Sequence, residues 1–377
     1  MKKIYKFLIT IGIVLLAGFL IGYLNTLFTY EFIWANFQKG MSIYPFYIHI
    51  LFMLLAIFFA ILFHELGHFI TFKKLGIDVK AMYVLCFGIV KINGKWKLKF
   101  IPKFLLLLGG IVIPDKIQIR NEAKEEEIID KFKKVLIAGP NTSIIYGSTI
   151  LIMFLGFFFT PFYALNGFLF SFNLLTLLMT ILAVLSSKVS NGGIYGDYAA
   201  INAFNNDQMF RMVYLLQLVT LIERDEESLE YLWKKVIHLL SMHSQYRNRL
   251  YLNLVAHYMQ EITFEQKIGC VTIENKLKNL ENKFGNSEDS FMLYHFYIYY
   301  NQALGNFDKV EELLNKIPEK NFKVDKKVAE YYERLTNHLL KKKDESAYLN
   351  DPKNNYSSSV NWLYAPLELK NHLDDIK

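Results

Sequence analysis

Ile61-Leu62-Phe63-His64-Glu65-Leu66-Gly67-His68-Phe69-Ile70 lies within an otherwise almost wholly apolar stretch of about 27 residues, Phe46 to Phe72. That length and composition predict a helix crossing a bilayer, for which about 20 apolar residues suffice. His64 and His68 are four apart, so a helix brings them to one face, with Glu65 beside them. Two imidazoles one turn apart with an adjoining carboxylate are the donors of a zinc site with a general base. An acidic side chain in mid-bilayer costs roughly 2.5–3.5 kcal/mol on insertion scales, so a glutamate there points to chemistry rather than packing.

The rest of the chain fits a membrane protein. Its 377 residues are 53% hydrophobic and 16% aromatic, too apolar for an ordinary soluble protein and long enough for more than one domain. Residues 1–204 hold 19 Lys and Arg against 10 Asp and Glu, whereas residues 205–377 hold 23 against 25. The net charge of +7 therefore belongs to the membrane half. There it reads as topology, not as a nucleic-acid footprint. No phosphate-binding glycine loop and no RNA- or DNA-reading motif occurs. Cys86 and Cys270 are far apart in sequence and read as reduced thiols facing the cytosol.

Four crossings are expected: about Phe7–Tyr30, Phe46–Phe72, about Val135–Phe159 and about Tyr163–Ser187. A basic start, Lys2, Lys3 and Lys6, would also suit a cleaved signal peptide. No small-residue cleavage site follows the first apolar run, which favours an uncleaved anchor. The loop after this span carries only Glu31 and Lys39, and Thr160-Pro161-Phe162 carries no charge. By contrast, Lys73 to Lys134 holds 14 Lys and Arg. That segment is expected in the cytosol, together with both termini, in the plasma membrane of a bacterial-type cell. His68 precedes Lys73 by five residues, so a metal there would lie on the order of 10 Å below the cytosolic surface.

The segment between the second and third spans contains strand signals. Ile89 to Phe100 alternates apolar and polar residues around Asn93-Gly94, the pattern of a two-residue hairpin. Phe104 to Ile113 is an apolar run too short to span, interrupted at Gly109-Gly110. It reads as a buried strand or a re-entrant element. Such a β segment either packs on itself or offers an edge that catches an extended substrate.

Two histidines leave a tetrahedral zinc short of one protein ligand. The acidic residues of the membrane half are Glu31, Glu65, Asp78, Asp115, a cluster from Glu122 to Asp130, and Asp197. Glu31 falls on the wrong side, Asp78 and Asp115 in the cytosolic loop, and the mixed-sign cluster reads as a solvated helix face. Asp197 remains, in Ser190-Asn191-Gly192-Gly193-Ile194-Tyr195-Gly196-Asp197, where glycines let the chain turn back. The alternative is an aspartate that caps the helix beginning at Ala199. His49 is 15 residues before His64, roughly 22 Å along a helix, and reads as an outer-interface residue. Asn173 either bonds a neighbouring helix or faces the cavity.

These residues form a known pattern. His-Glu-Leu-Gly-His on one span, Ala138-Gly139-Pro140 opening the next and an aspartate after the one following resemble the site-2 protease family of intramembrane zinc metalloproteases, over about residues 46–200. The resemblance implies a helix bundle with a small membrane-associated β element on the cytosolic side. It also implies cleavage of membrane-anchored substrates such as anti-sigma factors, transcription-factor precursors, signal-peptide remnants or peptide pheromones. In this pattern His64, His68 and Asp197 hold Zn2+ and Glu65 is the catalytic base. Four positions depart from the family: Ser143 replaces the usual Asn, and Ala183 and Ser186 stand where many members have Asn-x-x-Pro. Tyr198 replaces the usual Gly after the aspartate.

Residues 206–345 read as successive amphipathic helices. Tyr299 to Val310 looks like the turn of a tetratricopeptide repeat, with a weaker echo at Ala256–Phe264. This part is either a degenerate helix-pair solenoid that binds a partner protein or an irregular helical domain that packs on the membrane part. The expected organisation is an anchor and outer loop (1–45), a protease core (46–204) with its β segment (76–134), a helical cytosolic domain (205–345) and a tail (346–377). The expected fold class is thus mainly α: a polytopic bundle of about four spans with a small β hairpin, then a possibly tetratricopeptide-like domain. The function competing with a zinc endopeptidase is a non-catalytic membrane adaptor, an immunity or peptide-export partner that keeps the protease fold.

Overall fold

A computed structural model describes residues 30–107, 109–158, 160–191, 194–358 and 367. All but the last residue of the expected first crossing, Phe7–Tyr30, lies outside them. Three helices among the described residues are long and apolar enough to cross a membrane: Phe46–Lys74, Glu122–Phe158 and Tyr163–Ser186. The chain divides into two compact units. One contains the chain up to Leu66 with Pro140–Ser186; the other contains Gly67–Gly139 and the chain from Ser187 onward.

In the first unit, helix α1 spans Tyr30–Ile43 and α2 starts at Phe46. The segment expected as an open outer loop is therefore mostly helical. It ends before Pro45, because a proline disfavours helical backbone in the residue preceding it. Helix α2 is Phe46–Lys74, α3 is Glu122–Phe158 and α4 is Tyr163–Ser186. Helix α1 lies close against α4 at two glycines: a Cβ on Gly167 would sit 2.2 Å from the Gly40 carbonyl oxygen. Small residues let helix backbones meet this closely in a membrane. His49, read as an outer-interface residue, is buried between helices, with Nδ1 2.6 Å from Ser171 Oγ and Nε2 3.1 Å from the Met41 carbonyl.

The second unit holds an antiparallel sheet in the order β3-β2-β1-β4, with β1 Val79–Val84, β2 Phe87–Ile92, β3 Lys95–Phe100 and β4 Gly110–Pro114. The expected hairpin is present, with Ile92 opposite Lys95. Asn93 and Gly94 take left-handed φ values of 50° and 74°, as a type I′ turn requires. Strand β1 was not read from the sequence. The run Phe104–Ile113 is not one continuous buried strand. It divides at Gly109-Gly110 into a 3-10 helix, Pro102–Leu107, and β4.

Helix α3 begins well before the expected span, and Asn121 Oδ1 caps it by accepting from Lys124 N at 2.9 Å. Its acidic first turns are not uniformly solvated. Glu125 is 2% exposed, accepting from Arg211 Nε at 2.9 Å, Lys235 Nζ at 2.6 Å and the Tyr231 hydroxyl at 2.8 Å. Burial of that carboxylate is offset by charge and hydrogen bonds together.

After a short hairpin, β5 Ser190–Asn191 with β6 Ile194–Tyr195, come helices α5 Asp197–Asn206, α6 Gln208–Thr220, α7 Glu226–Met242, α8 Arg249–Phe264, α9 Val271–Leu277, α10 Glu288–Ala303, α11 Phe307–Lys316 and α12 Lys326–Leu339. The N-termini of α6, α7, α8, α10 and α12 carry side-chain caps from Asp207, Asp225, Asn248, Ser287 and Asp325. Leu232, Val236, Leu254, Tyr258, Tyr294 and Ile298 share one core. The tail, expected to be loose, starts with a short helix, Ser346–Leu349, whose Leu349 is 2% exposed. Cys86 and Cys270 are free thiols.

Candidate metal centre

His64 and His68 lie in the C-terminal half of α2, a largely apolar helix that ends at Lys73 and Lys74. Each ring is held by its Nδ1. His64 Nδ1 is 2.9 Å from Ser143 Oγ on α3. His68 Nδ1 donates to the Val135 carbonyl, also on α3, at 2.8 Å. A carbonyl only accepts, so this bond sets the His68 tautomer and turns its Nε2 to the metal side. His68 Nε2 is 3.6 Å from Asp197 Oδ2.

Asp197 is the first residue of α5, where a negative charge is favoured by the helix dipole. It does not cap that helix: Gly196 is the N-cap, with no side-chain cap bond. The β5–β6 hairpin presents it, pairing Ser190 with Tyr195 and Asn191 with Ile194. The Gly196 N–H donates to the Val189 carbonyl and the Ala199 N–H to the Ser187 carbonyl, both at 2.9 Å. Gly196 itself is extended, with φ −72°; Gly192 and Gly193, also expected to help the turn, lie outside the described residues. Burial, and then the charge of Asp197, holds the Tyr214 phenol above its ordinary pKa.

His64, His68 and Asp197 each offer a ligand atom, all within 4.8 Å of one another. In a tetrahedral zinc site with bonds of ~2.0–2.1 Å, ligand atoms stand about 3.4 Å apart. The 3.6 Å between His68 and Asp197 is already close to that, and two neutral imidazoles with one carboxylate suit zinc chemically. The residues fit the metal. Glu65, the next residue after His64, is 5% exposed.

Of the departures from the family pattern, Ser143 touches this cluster, through His64 Nδ1. Ser186 is exposed and its Oγ donates to the Ala183 carbonyl within its own helix turn. Asn173 is buried and its Oδ1 has no hydrogen-bond partner among the described residues. The Val135 carbonyl went unread because a backbone atom has no residue-type signature.

An imidazole pair on a helix long enough to cross a membrane, joined by a carboxylate from the start of α5, has the makings of a membrane-embedded metal centre. A family model, Peptidase family M50, matches residues 52–312, and the chain belongs to that family, the site-2 proteases. Membership implies an intramembrane metalloprotease that uses zinc. The chain matches no curated protein and no solved structure.

Proposed function

We propose that this chain is a zinc-dependent endopeptidase that cuts membrane-anchored proteins or peptides within or next to the bilayer. One observation carries this reading: the ligand atoms of His64, His68 and Asp197 converge within 4.8 Å beside a glutamate on an apolar, bilayer-length helix.

In this reading His64 and His68, as neutral imidazoles, and Asp197 hold the ion. When bound, zinc supplies Lewis acidity and brings the pKa of water down toward about 7. The Glu65 carboxylate takes up the proton of the attacking water and later returns it to the leaving amine. Burial of Glu65 keeps bulk water from competing for that proton. A helical substrate hides its peptide bonds in its own hydrogen bonds and must unwind locally. The outer edge of β3, which pairs on one side only, can supply replacement backbone bonds.

Lys73 and Lys74 end α2, and 14 Lys and Arg fall between Lys73 and Lys134. This supports a cytosolic position for the β segment and for both termini. The C-terminal helices are read as a cytosolic domain that receives a partner protein. The α10–α11 pair around Gly305, which has φ 75°, is read as its tetratricopeptide-like element.

Purified protein tests the core of the proposal. Glu65→Gln is expected to retain stoichiometric zinc and lose cleavage of a membrane-anchored reporter by at least about 100-fold. His68→Ala is expected to lose both. Parent-rate cleavage by Glu65→Gln would remove the base assignment. Metal-free protein with full biological activity would favour the adaptor reading instead.

A further inference from the structure

The two histidines are held by unlike partners. His68 relies on a backbone carbonyl, which no substitution removes. His64 relies on the Ser143 hydroxyl, 2.9 Å from Nδ1, at a position where the resembled family usually has Asn. Ser143 is 3% exposed, so water does not readily take its place. Its turn of α3 is fixed by close packing. Thr180 Oγ1 on α4 donates to the Thr176 carbonyl at 2.8 Å and reaches the Ser143 carbonyl at 3.5 Å. One turn further, a Cβ on Gly147 would fall 2.4 Å from that same Thr180 Oγ1. Phe63, adjacent to His64, stacks on Tyr146 with ring centroids 4.3 Å apart. Packing on both sides thus holds the serine opposite the imidazole.

We propose that Ser143 is a positioning residue for His64: Nδ1–H donates to Oγ, which turns Nε2 toward the metal, as the Val135 carbonyl does for His68. The inference rests on the zinc-site reading above. A hydroxyl can donate as well as accept. If Ser143 donated its proton to Nδ1, Nε2 would carry the hydrogen and could not ligate. Metal binding therefore selects the accepting arrangement, and the hydroxyl contributes by offering a lone pair at the right place. An alanine leaves the Nδ1–H buried without that acceptor.

The test uses the full chain purified in detergent, with zinc affinity read by chelator competition and the site geometry read from the visible absorption of the Co2+-loaded protein. Ser143→Ala should weaken zinc binding about 10–100-fold, the range for groups that orient a metal-bound histidine, and alter the cobalt bands. The metal-free protein should still fold, its melting temperature lowered by no more than a few degrees for one lost hydrogen bond. Ser143→Thr, which keeps the hydroxyl, should restore affinity to within about threefold of the parent. If Ser143→Ala bound zinc like the parent while His64→Ala lost it, the inference would be overturned and the metal site left standing. Failure of Ser143→Thr to restore binding would overturn it too, since the hydroxyl would not be the cause. If His64→Ala kept stoichiometric zinc, the zinc-site reading itself would fall, and this inference with it.

Discussion

The two ends of helix α3 follow opposite rules. From Glu122 to Val135 its large apolar residues are inside: Ile128, Ile129, Phe132 and Val135 are all at most 5% exposed, while charged residues such as Glu126 and Asp130 face out. Beyond Pro140 the apolar residues are outside, with Ile145 and Ile152 exposed by 67% and 69%. Of the most apolar stretches of the three long helices, only 22, 11 and 28% of residues are buried within the protein. One helix thus serves two solvents. Water drives isoleucine into a core, whereas hydrocarbon is as apolar as isoleucine and leaves helices to associate through close packing and hydrogen bonds. Gly40 against Gly167, and the His49–Ser171 bond, are the membrane-side substitutes for a hydrophobic core.

This contrast can be broken by experiment. Phe132 packs edge-on against Phe72 and Tyr214 at 5.3 and 5.4 Å. Phe132→Ala should destabilise the protein by about 3–5 kcal/mol, whereas Ile152→Ala should cost less than about 1 kcal/mol, because lipid fills the space it leaves. Denaturant titration in detergent compares the two, and equal losses would end the two-solvent account.

Exposure within the protein then predicts opposite tolerance of charge. Ile145→Lys should raise the cost of membrane insertion by roughly 2.5–3.5 kcal/mol. Ile268, 88% exposed in the C-terminal helical region, should accept lysine within about 0.5 kcal/mol. The amount of each variant recovered from the membrane fraction is the readout, and an Ile145→Lys variant that inserts like its parent would contradict the assignment of that face to lipid.

The smallest expected effect is a pH dependence confined to the C-terminal helices. Burial pushes His295 down to about 3 and His257 down to about 4. Unfolded imidazoles titrate near 6.5. Below that pH the unfolded chain takes up protons that the folded one refuses, so stability is full above about 6.5 and falls as the pH drops toward 3. Each histidine contributes at most about 1.4 kcal/mol per pH unit. His295→Gln, which retains a hydrogen-bonding group beside Thr336 Oγ1, 2.9 Å from His295 Nδ1, should flatten the slope measured between pH 6.5 and 5. An unchanged slope would show that other groups set it.

Much of the fold was legible because its signals are local. Apolar runs longer than 20 residues mark α2 and α4, and Asn93-Gly94 marks the β2–β3 turn, since only a few residues tolerate its backbone. The His64–His68 spacing carries its own geometry on a helix. What escaped depended on partners distant in sequence. The segment Tyr30–Ile43 is short and read as a loop, yet it is a helix that packs through Gly40 on Gly167. Glu125 read as solvated because its neighbours in sequence are charged; its actual neighbours are Arg211, Tyr231 and Lys235, 86 to 110 residues away. Strand β1 has no signature apart from its pairing with β2 and β4.

For this protein, then, the chain alone determined which residues must meet lipid and which pair of imidazoles must share a helix face, because hydropathy and helical periodicity act over a few turns. The aspartate was already singled out in the sequence; only the tertiary structure decided how it comes within 3.6 Å of His68 and what steadies each ring. Asp197 arrives by way of a hairpin and a new helix N-terminus, and the Nδ1 partners come from a serine and a carbonyl on another helix. Such contacts depend on how distant segments pack, and packing is set by the whole chain at once.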